Sequence, residues 1–176
     1  MWHRWFGTAA LTMMALGPVV AATNAVAAPT TLAPADYTFI GLTFLGNRFQ
    51  VETGRLGETH ASDPAVRRYA QLMDTSHVAV EDKLVALLKQ IGAEPPPASL
   101  LAGAYASLVQ MLGAEQGRSF ERDYISSQVG YQKANDSLYR WELANGSSPQ
   151  LKAFAKEVLP KIDDHLQKAL VLSGAK

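Results

Sequence analysis

Two histidines lie on apolar helical seams, where an imidazole can bind a transition metal or join a buried hydrogen-bond network. Neutral imidazole is a common metal ligand, and a buried ring needs partners for both of its nitrogens. The seams repeat with alternating steps of four and three residues, which is typical of helices packed in a bundle. They are Val66, Ala70, Met73, His77, Val80, Leu84, Leu87, Ile91 and Leu151, Ala155, Val158, Ile162, His165, Ala169, Leu172.

Carboxylates near these histidines extend the metal hypothesis. Di-metal sites in helical bundles use carboxylates from two helices and a Glu-x-x-His pair from each of the other two. Asp74 and His77 have that i, i+3 spacing, but Ile162 stands three residues before His165. A complete di-metal site is therefore not predicted. The metal hypothesis is one divalent transition-metal ion held by His77, His165, Glu52 and Asp74.

A structural role for the same histidines is the alternative that the sequence favours. Core-facing polar side chains are usually satisfied by networks across the bundle. In this interpretation the two rings form hydrogen bonds with Gln132, Glu52, Tyr131 or Ser76, and no cofactor is predicted. The metal hypothesis stays open beside it.

Composition argues against most other chemistry. The chain has no cysteine, which excludes disulfides, thiolate metal sites and a thiol nucleophile. No serine lies in a recognisable nucleophile motif, and there is no glycine-rich phosphate loop. The 16 basic and 16 acidic residues alternate along the chain, so neither nucleic acid nor an anionic membrane is a predicted partner. No catalytic residue is predicted.

Residues that favour helix starts and helix ends flank the two seams, which predicts that each seam belongs to one long helix. Asp63-Pro64 and Ser148-Pro149 each place a capping side chain before a proline suited to the first helical position. Gly92 and Gly174 can end these helices in a left-handed conformation. Pro160 predicts a kink one turn before His165.

Two further long helices and a short one complete the prediction. One runs from Asp36 to about Ala61 and another from Ser119 to about Asn145, with Gly146 after it, and residues 99–112 form the short helix. The predicted inward stripes are Leu42, Leu45, Phe49, Glu52, Leu56 and Phe120, Tyr124, Ser127, Tyr131, Ala134, Leu138, Trp141. No segment alternates with the period of a strand. The fold class is all-α, a bundle of four antiparallel long helices with short connections and an extra helix between the second and third.

The amino terminus has the anatomy of an export signal. Arg4 precedes an apolar run from about Thr8 to Ala22, and Ala25-Val26-Ala27 offers a small-x-small cleavage pattern. We predict a signal peptide over residues 1–27, cleaved after Ala27 or Ala28, a linker over 28–35, and a single bundle domain over 36–176. The mature protein is then periplasmic or secreted, without a membrane span.

Several motifs resemble those of one family of exported bacterial proteins. They are Asn47…Gly54-Arg55-Leu56, then Asp63-Pro64-Ala65-Val66-Arg67-Arg68-Tyr69-Ala70-Gln71-Leu72-Met73…His77, Phe120-Glu121-Arg122-Asp123-Tyr124, and Leu151-Lys152-Ala153-Phe154-Ala155…Leu159-Pro160…His165-Leu166. In this order they resemble domain of unknown function 4142. The resemblance implies a ferritin-like four-helix bundle whose biochemical role is unsettled.

Three positions depart from the family pattern. Gln50 stands where an acidic residue is usual, Ser76 where an aspartate is usual and Gln132 where a histidine is usual. These replacements favour a non-enzymatic binding or stress-associated module, with an envelope protein or a small ligand as its partner. The alternative is a metal-binding ferritin-like protein with a degenerate site at His77 and His165.

Overall fold

The structure is a computed structural model and describes residues 32–96 and 103–174. This part of the chain contains five α-helices. They are α1 (Pro34–His60), α2 (Pro64–Ile91), α3 (Ala104–Gly113), α4 (Gly117–Asn145) and α5 (Pro149–Ser173). No strand occurs within these residues. The predicted signal peptide, residues 1–27, lies outside them.

The predicted ends of α2 and α5 are confirmed. The Asp63 carboxylate accepts a hydrogen bond from the Ala65 amide at 2.7 Å, and the Ser148 hydroxyl accepts one from the Leu151 amide at 3.3 Å. Gly92 and Gly174 follow the two helices with φ of 70°, the left-handed conformation that glycine adopts without penalty. Helix α5 continues through Pro160.

Other boundaries differ from the prediction. Helix α1 begins at Pro34, inside the predicted linker, because proline suits the first helical turn and the Asp36 carboxylate accepts a hydrogen bond from the Ala33 amide at 2.8 Å. Helix α3 covers Ala104–Gly113 of the predicted 99–112 segment and extends one residue beyond it, and residues 97–102 lie outside the described part. Helix α4 begins at Gly117, two residues before the predicted Ser119, whereas its end at Asn145 is as predicted, and Gly146 follows in an extended conformation with φ of −62°.

The contacts between helices define the topology. Asn47 of α1 contacts His77 of α2, whereas Phe39 of α1 contacts Tyr139 of α4 with ring centroids 5.0 Å apart. Thr53 of α1 also contacts Gln128 of α4, and Gly57 of α1 lies against Ala70 of α2, so α1 is antiparallel to both α4 and α2. Helices α2 and α4 therefore run parallel, and the connection that carries α3 crosses the length of the bundle. The predicted short connection is wrong at this point, and one long crossover is a feature of ferritin-like bundles.

The interior consists of two apolar clusters with polar side chains between them. The first cluster surrounds Phe39, Leu84 and Phe154, and the second surrounds Met73, Phe120 and Tyr124. We call the buried polar side chains between them the polar layer. Its members are Asn47, Gln50, Thr53, His77, Gln128, Gln132 and His165.

The inward faces of α1 and α4 are more polar than predicted. Leu42, Glu52, Ala134 and Trp141 were expected inside and are exposed. The buried positions carry polar residues instead, which apolar periodicity cannot detect. They are Thr43, Asn47, Gln50 and Thr53 on α1, and Gln128, Gln132, Asn135 and Glu142 on α4.

Glycines let α1 approach α2 closely. A Cβ atom added at Gly57 would lie 2.4 Å from the Ala70 Cβ, and one added at Gly54 would lie 2.8 Å from the Ala70 carbonyl oxygen. Carbon atoms in contact normally stand about 3.5–4.0 Å apart. Neither position can therefore carry a larger residue while the two helices keep their spacing.

Two buried carboxyl groups meet where α1 begins and α4 ends. Asp36 accepts hydrogen bonds from the Ser147 and Ser148 amides at 2.9 and 3.1 Å and from the Ser147 hydroxyl. These bonds outweigh the effect of burial and lower the pKa of Asp36. Glu142 packs under Gly146, and burial, assisted by the charge of Asp36, raises the pKa of Glu142 to about 7. This junction ties the start of α1 to the α4–α5 turn.

Glu142→Gln is expected to stabilise the protein at pH 8 and to change it little at pH 5. The folded-state pKa of Glu142 lies above its ordinary value, so its contribution to stability is present below about pH 4.5 and is lost as the pH rises through 7. We expect the free energy of unfolding to rise by about 1–2 kcal/mol at pH 8, since solvent partly screens the charge of Glu142 in the wild-type protein. Urea unfolding at both pH values measures it. Glu94→Gln, at an exposed position after α2, is the control, and a less stable Glu142→Gln protein at pH 8 would contradict the prediction.

Candidate functional site

The structure brings the two predicted histidines together in the polar layer. His77 projects from the middle of α2 and His165 from α5, and their ring centroids are 5.7 Å apart with planes inclined by 48°. Only 3% of His77 and 5% of His165 is exposed. The two seams therefore place a pair of adjacent imidazoles inside the bundle.

A hydrogen bond to Asn47, which was not among the predicted partners, orients the His77 ring. Its Nδ1 lies 2.8 Å from Asn47 Oδ1. Because an amide oxygen only accepts, Nδ1 carries the proton and Nε2 carries the lone pair. Nε2 is buried and has no hydrogen-bond partner in the described part of the chain. None of the four predicted partners, Gln132, Glu52, Tyr131 and Ser76, forms this bond, although the Tyr131 ring packs edge-on against His77.

His165 also presents an unpartnered nitrogen. Its Nδ1 is buried without a hydrogen-bond partner among residues 32–96 and 103–174. The backbone carbonyl of His165 lies 3.4 Å from the Tyr69 hydroxyl, which also lies 3.5 Å from Gln128 Oε1. Tyr69 therefore connects the backbone of α5 to the amide side chains of α4.

Burial keeps both rings neutral. It lowers the pKa of His77 to about 3, with the neighbouring His165 acting in the same direction. Burial lowers the pKa of His165 to about 4, where Asp164 opposes the shift and Lys168 and Lys161 add to it. At neutral pH each ring therefore has one nitrogen able to bind a metal or accept a hydrogen bond.

The amides around the pair also have unused hydrogen-bonding capacity. Gln132 Nε2 lies 3.4 Å from the Met73 sulfur, and Gln128 Nε2 lies 3.4 Å from the Thr53 hydroxyl. Several buried atoms of the layer have no partner in the part of the protein that the structure describes. They are Asn47 Nδ2, Gln50 Oε1 and Nε2, Gln132 Oε1, His77 Nε2 and His165 Nδ1. Buried polar groups are normally paired, so this concentration marks the layer as the candidate site.

The predicted carboxylates do not join the histidines. Glu52 is exposed. It follows the inward-facing Gln50 by two residues, and a residue at that spacing lies on the opposite side of the helix. Asp74 forms an ion pair with Arg55, with 3.4 Å between Nε and Oδ1. Within the described ranges, no group of three or more histidines, aspartates or glutamates lies close enough to hold a metal ion. The predicted set of His77, His165, Glu52 and Asp74 is thus reduced to the two imidazoles.

Sequence reasoning missed Asn47, Thr53 and Gln128 as members of the site. A signal was present, since Asn47, Gln50, Thr53 and Gly57 follow steps of three and four residues along α1. A helical seam of amides, hydroxyls and glycines is compatible with a buried polar face, but such residues are usually exposed, so the spacing alone does not distinguish the two.

The crossover topology and the buried polar layer define a ferritin-like helical bundle. The sequence model of one family, domain of unknown function (DUF4142), matches residues 21–172, and the chain belongs to this family. No curated protein matches the sequence. No helix among the described residues combines the length and apolar character that crossing a membrane requires.

Solved structures that share the fold include two DUF305 proteins. The DUF305 fragment from Deinococcus radiodurans has 12% sequence identity and a TM-score of 0.71, covering 84% of this chain and 100% of that one. A DUF305 protein from Streptomyces coelicolor has 15% identity and a TM-score of 0.67, covering 81% and 94%. At these identities the likeness concerns the fold alone.

Proposed function

We propose that this protein is a non-enzymatic binding module of the cell envelope, and that it binds one divalent transition-metal ion between His77 Nε2 and His165 Nδ1. The observation that carries the proposal is the adjacent pair of buried, neutral imidazoles, each with an unpartnered ring nitrogen. An ion shared by the two rings would satisfy both nitrogens at once.

The spacing of the rings suits a shared ion. A transition metal lies about 2.0–2.1 Å from an imidazole nitrogen, so two rings that share one ion have centroids roughly 5–6 Å apart. The observed separation is 5.7 Å. The amide oxygens of Gln50 and Gln132 are the unpartnered acceptors that could complete the coordination. Two imidazoles without a carboxylate favour zinc, copper or nickel over magnesium or calcium.

The chemistry of the layer supports binding over catalysis. A general base works best when its pKa lies near the operating pH. The pKa values of His77 and His165, lowered by burial to about 3 and about 4, are far from that range. The other members of the layer are amides and a threonine, which do not exchange protons with a substrate at neutral pH.

An envelope location for this module is supported by the amino-terminal sequence. Residues 1–27 have the composition of a cleavable signal peptide. The Streptomyces coelicolor protein that shares the fold is named as secreted. An exported bundle without cysteine would bind its metal without thiolate ligands.

Calorimetric titration of residues 28–176, without a histidine tag, with Zn²⁺, Co²⁺, Ni²⁺ and Cu²⁺ tests the proposal. We expect one site for at least one of these ions, and at least a roughly 100-fold loss of affinity in His77→Ala and in His165→Ala. His60→Ala is the matched control, because the His60 ring lies outside the layer and contacts the Glu115 carbonyl at 2.7 Å. Equal affinity in all four proteins, or no binding, would leave the layer with a purely structural role.

A further inference from the structure

We propose that the groove between α2 and α5 binds a single-chain anionic amphiphile of the fatty-acid class, with the alkyl chain along the groove and the carboxylate on Arg68. This site lies on the surface of the bundle and does not depend on metal binding in the polar layer. The inference rests on the shape of the groove, its apolar lining and the sign of its charges.

The groove has the size and surface of a small-molecule site. Its volume is about 490 Å³, within the range of roughly 300–1,000 Å³ that is usual for ligand pockets. Its apolar surface comes from Ala65, Tyr69, Leu72, Val171 and Leu172. Val171 is 78% exposed, although an apolar side chain gains from leaving water.

The charged side chains that line the groove are both basic, and one of them is already paired with a carboxylate. Arg68 and Lys168 line it, and no acidic side chain does. Lys168 is paired with Asp164 one turn away on α5. In the described part of the chain Arg68 has no ion-pair partner, so its guanidinium is available to a carboxylate.

The length of the groove limits the alkyl chain. On α2 the lining runs from Ala65 to Leu72, seven helical rises or about 10 Å. An extended alkyl chain of about eight to ten carbons spans this distance. Decanoate is therefore a suitable probe.

Charge also distinguishes this occupant from a second copy of the chain. In a two-fold contact the same patch meets itself, so the Arg68 side chains of the two copies would lie at one interface, and Arg68 has no carboxylate partner in the described part of the chain. Like charges placed opposite each other across an interface are unfavourable. A monomeric anionic ligand instead neutralises them.

Calorimetric titration with decanoate, below its micelle concentration, and with decanol tests the inference. We expect the wild-type protein to bind both. Arg68→Ala should weaken decanoate binding about three- to tenfold and leave decanol binding unchanged. Val171→Glu should abolish binding of both ligands. Val85→Glu, at an exposed valine of α2 outside the groove, is the matched control and should bind like the wild type.

Three results would overturn the inference. The first is an absence of decanoate binding by the wild-type protein while circular dichroism shows a folded helical chain. The second is an equal effect of Arg68→Ala on decanoate and decanol. The third concerns the Val171→Glu protein. The inference fails if this substitution abolishes a dimer seen in sedimentation, or binding to phosphatidylglycerol vesicles, but leaves decanoate binding intact. None of these results depends on whether His77 and His165 bind a metal.

Discussion

Gly57→Ala is expected to destabilise the protein by about 2–3 kcal/mol, the cost of overpacking a well-filled helix interface. The added methyl carbon would lie 2.4 Å from the Ala70 Cβ, which is fixed to the backbone of α2 and cannot rotate away. The helices must therefore separate by more than an ångström. Because α2 carries His77, the separation would also lengthen the bond from His77 to Asn47.

Urea unfolding of three variants tests this explanation. The double variant Gly57→Ala/Ala70→Gly removes the opposing methyl group and should recover most of the lost stability. The recovery is reduced by about 1 kcal/mol, because glycine at position 70 is a poorer helix former than alanine. Gly130→Ala is the control, since a methyl group there meets nothing within 4 Å and should stabilise α4 by about 0.5–1 kcal/mol. A Gly57→Ala protein as stable as Gly130→Ala would show that α1 and α2 are not closely packed.

The metal-free protein is expected to lose stability steeply as the pH falls from 6.5 to 4. Burial lowers the pKa of His77 to about 3 and of His165 to about 4, whereas both rings protonate near pH 6.5 in the unfolded chain. The unfolded state therefore binds more protons in this interval, and protons favour unfolding. Each ring can contribute up to about 1.4 kcal/mol per pH unit, and together they should cost several kcal/mol by pH 4.5.

Urea unfolding at pH 7, 6 and 5 in the presence of a chelator measures this dependence. The variant His77→Gln/His165→Gln should show a flatter profile, because its layer carries no titratable group. Surface carboxylates titrate in both proteins and cancel in the difference. His60→Gln is the control, because it removes an imidazole outside the layer. If the free energy of unfolding of the wild type and of the double variant changed with pH in parallel, the burial of the two rings would be refuted.

The helices that position the histidines could be predicted because their inward faces are apolar. On α2 and α5 the buried side chains follow the four-and-three spacing, and a capping residue, a proline and a glycine mark the ends. Burial of apolar surface and the capping of free amides are local rules that a sequence displays directly. The meeting of His77 and His165 follows from these two seams.

The inward faces of α1 and α4 could not be predicted by the same rule. The apolar stripe placed Leu42 and Trp141 inside, yet Gln50 and Gln128 are fully buried and those two are exposed. Amides are usually found at the surface, so their burial depends on the partners that the other helices bring. That information is tertiary and is absent from the spacing along one helix.

The hydrogen-bond partner of His77 shows the same limit. Four partners were expected, and Asn47 forms the bond instead. The choice depends on how far α1 is displaced along α2, which the close approach at Gly54 and Gly57 sets. A displacement of about 5 Å, one helical turn, would offer His77 a different side chain.

The position of the polar layer between two apolar clusters also fixes the alignment of the helices. Leucine and phenylalanine can exchange neighbours at little cost, so an entirely apolar interior would tolerate sliding of one helix along another. Sliding by one turn here would press the amides of Gln50 and Gln132 against hydrocarbon. A single buried asparagine selects the register of coiled coils in this way. The seven side chains of the layer thus choose one arrangement of the bundle over its shifted alternatives.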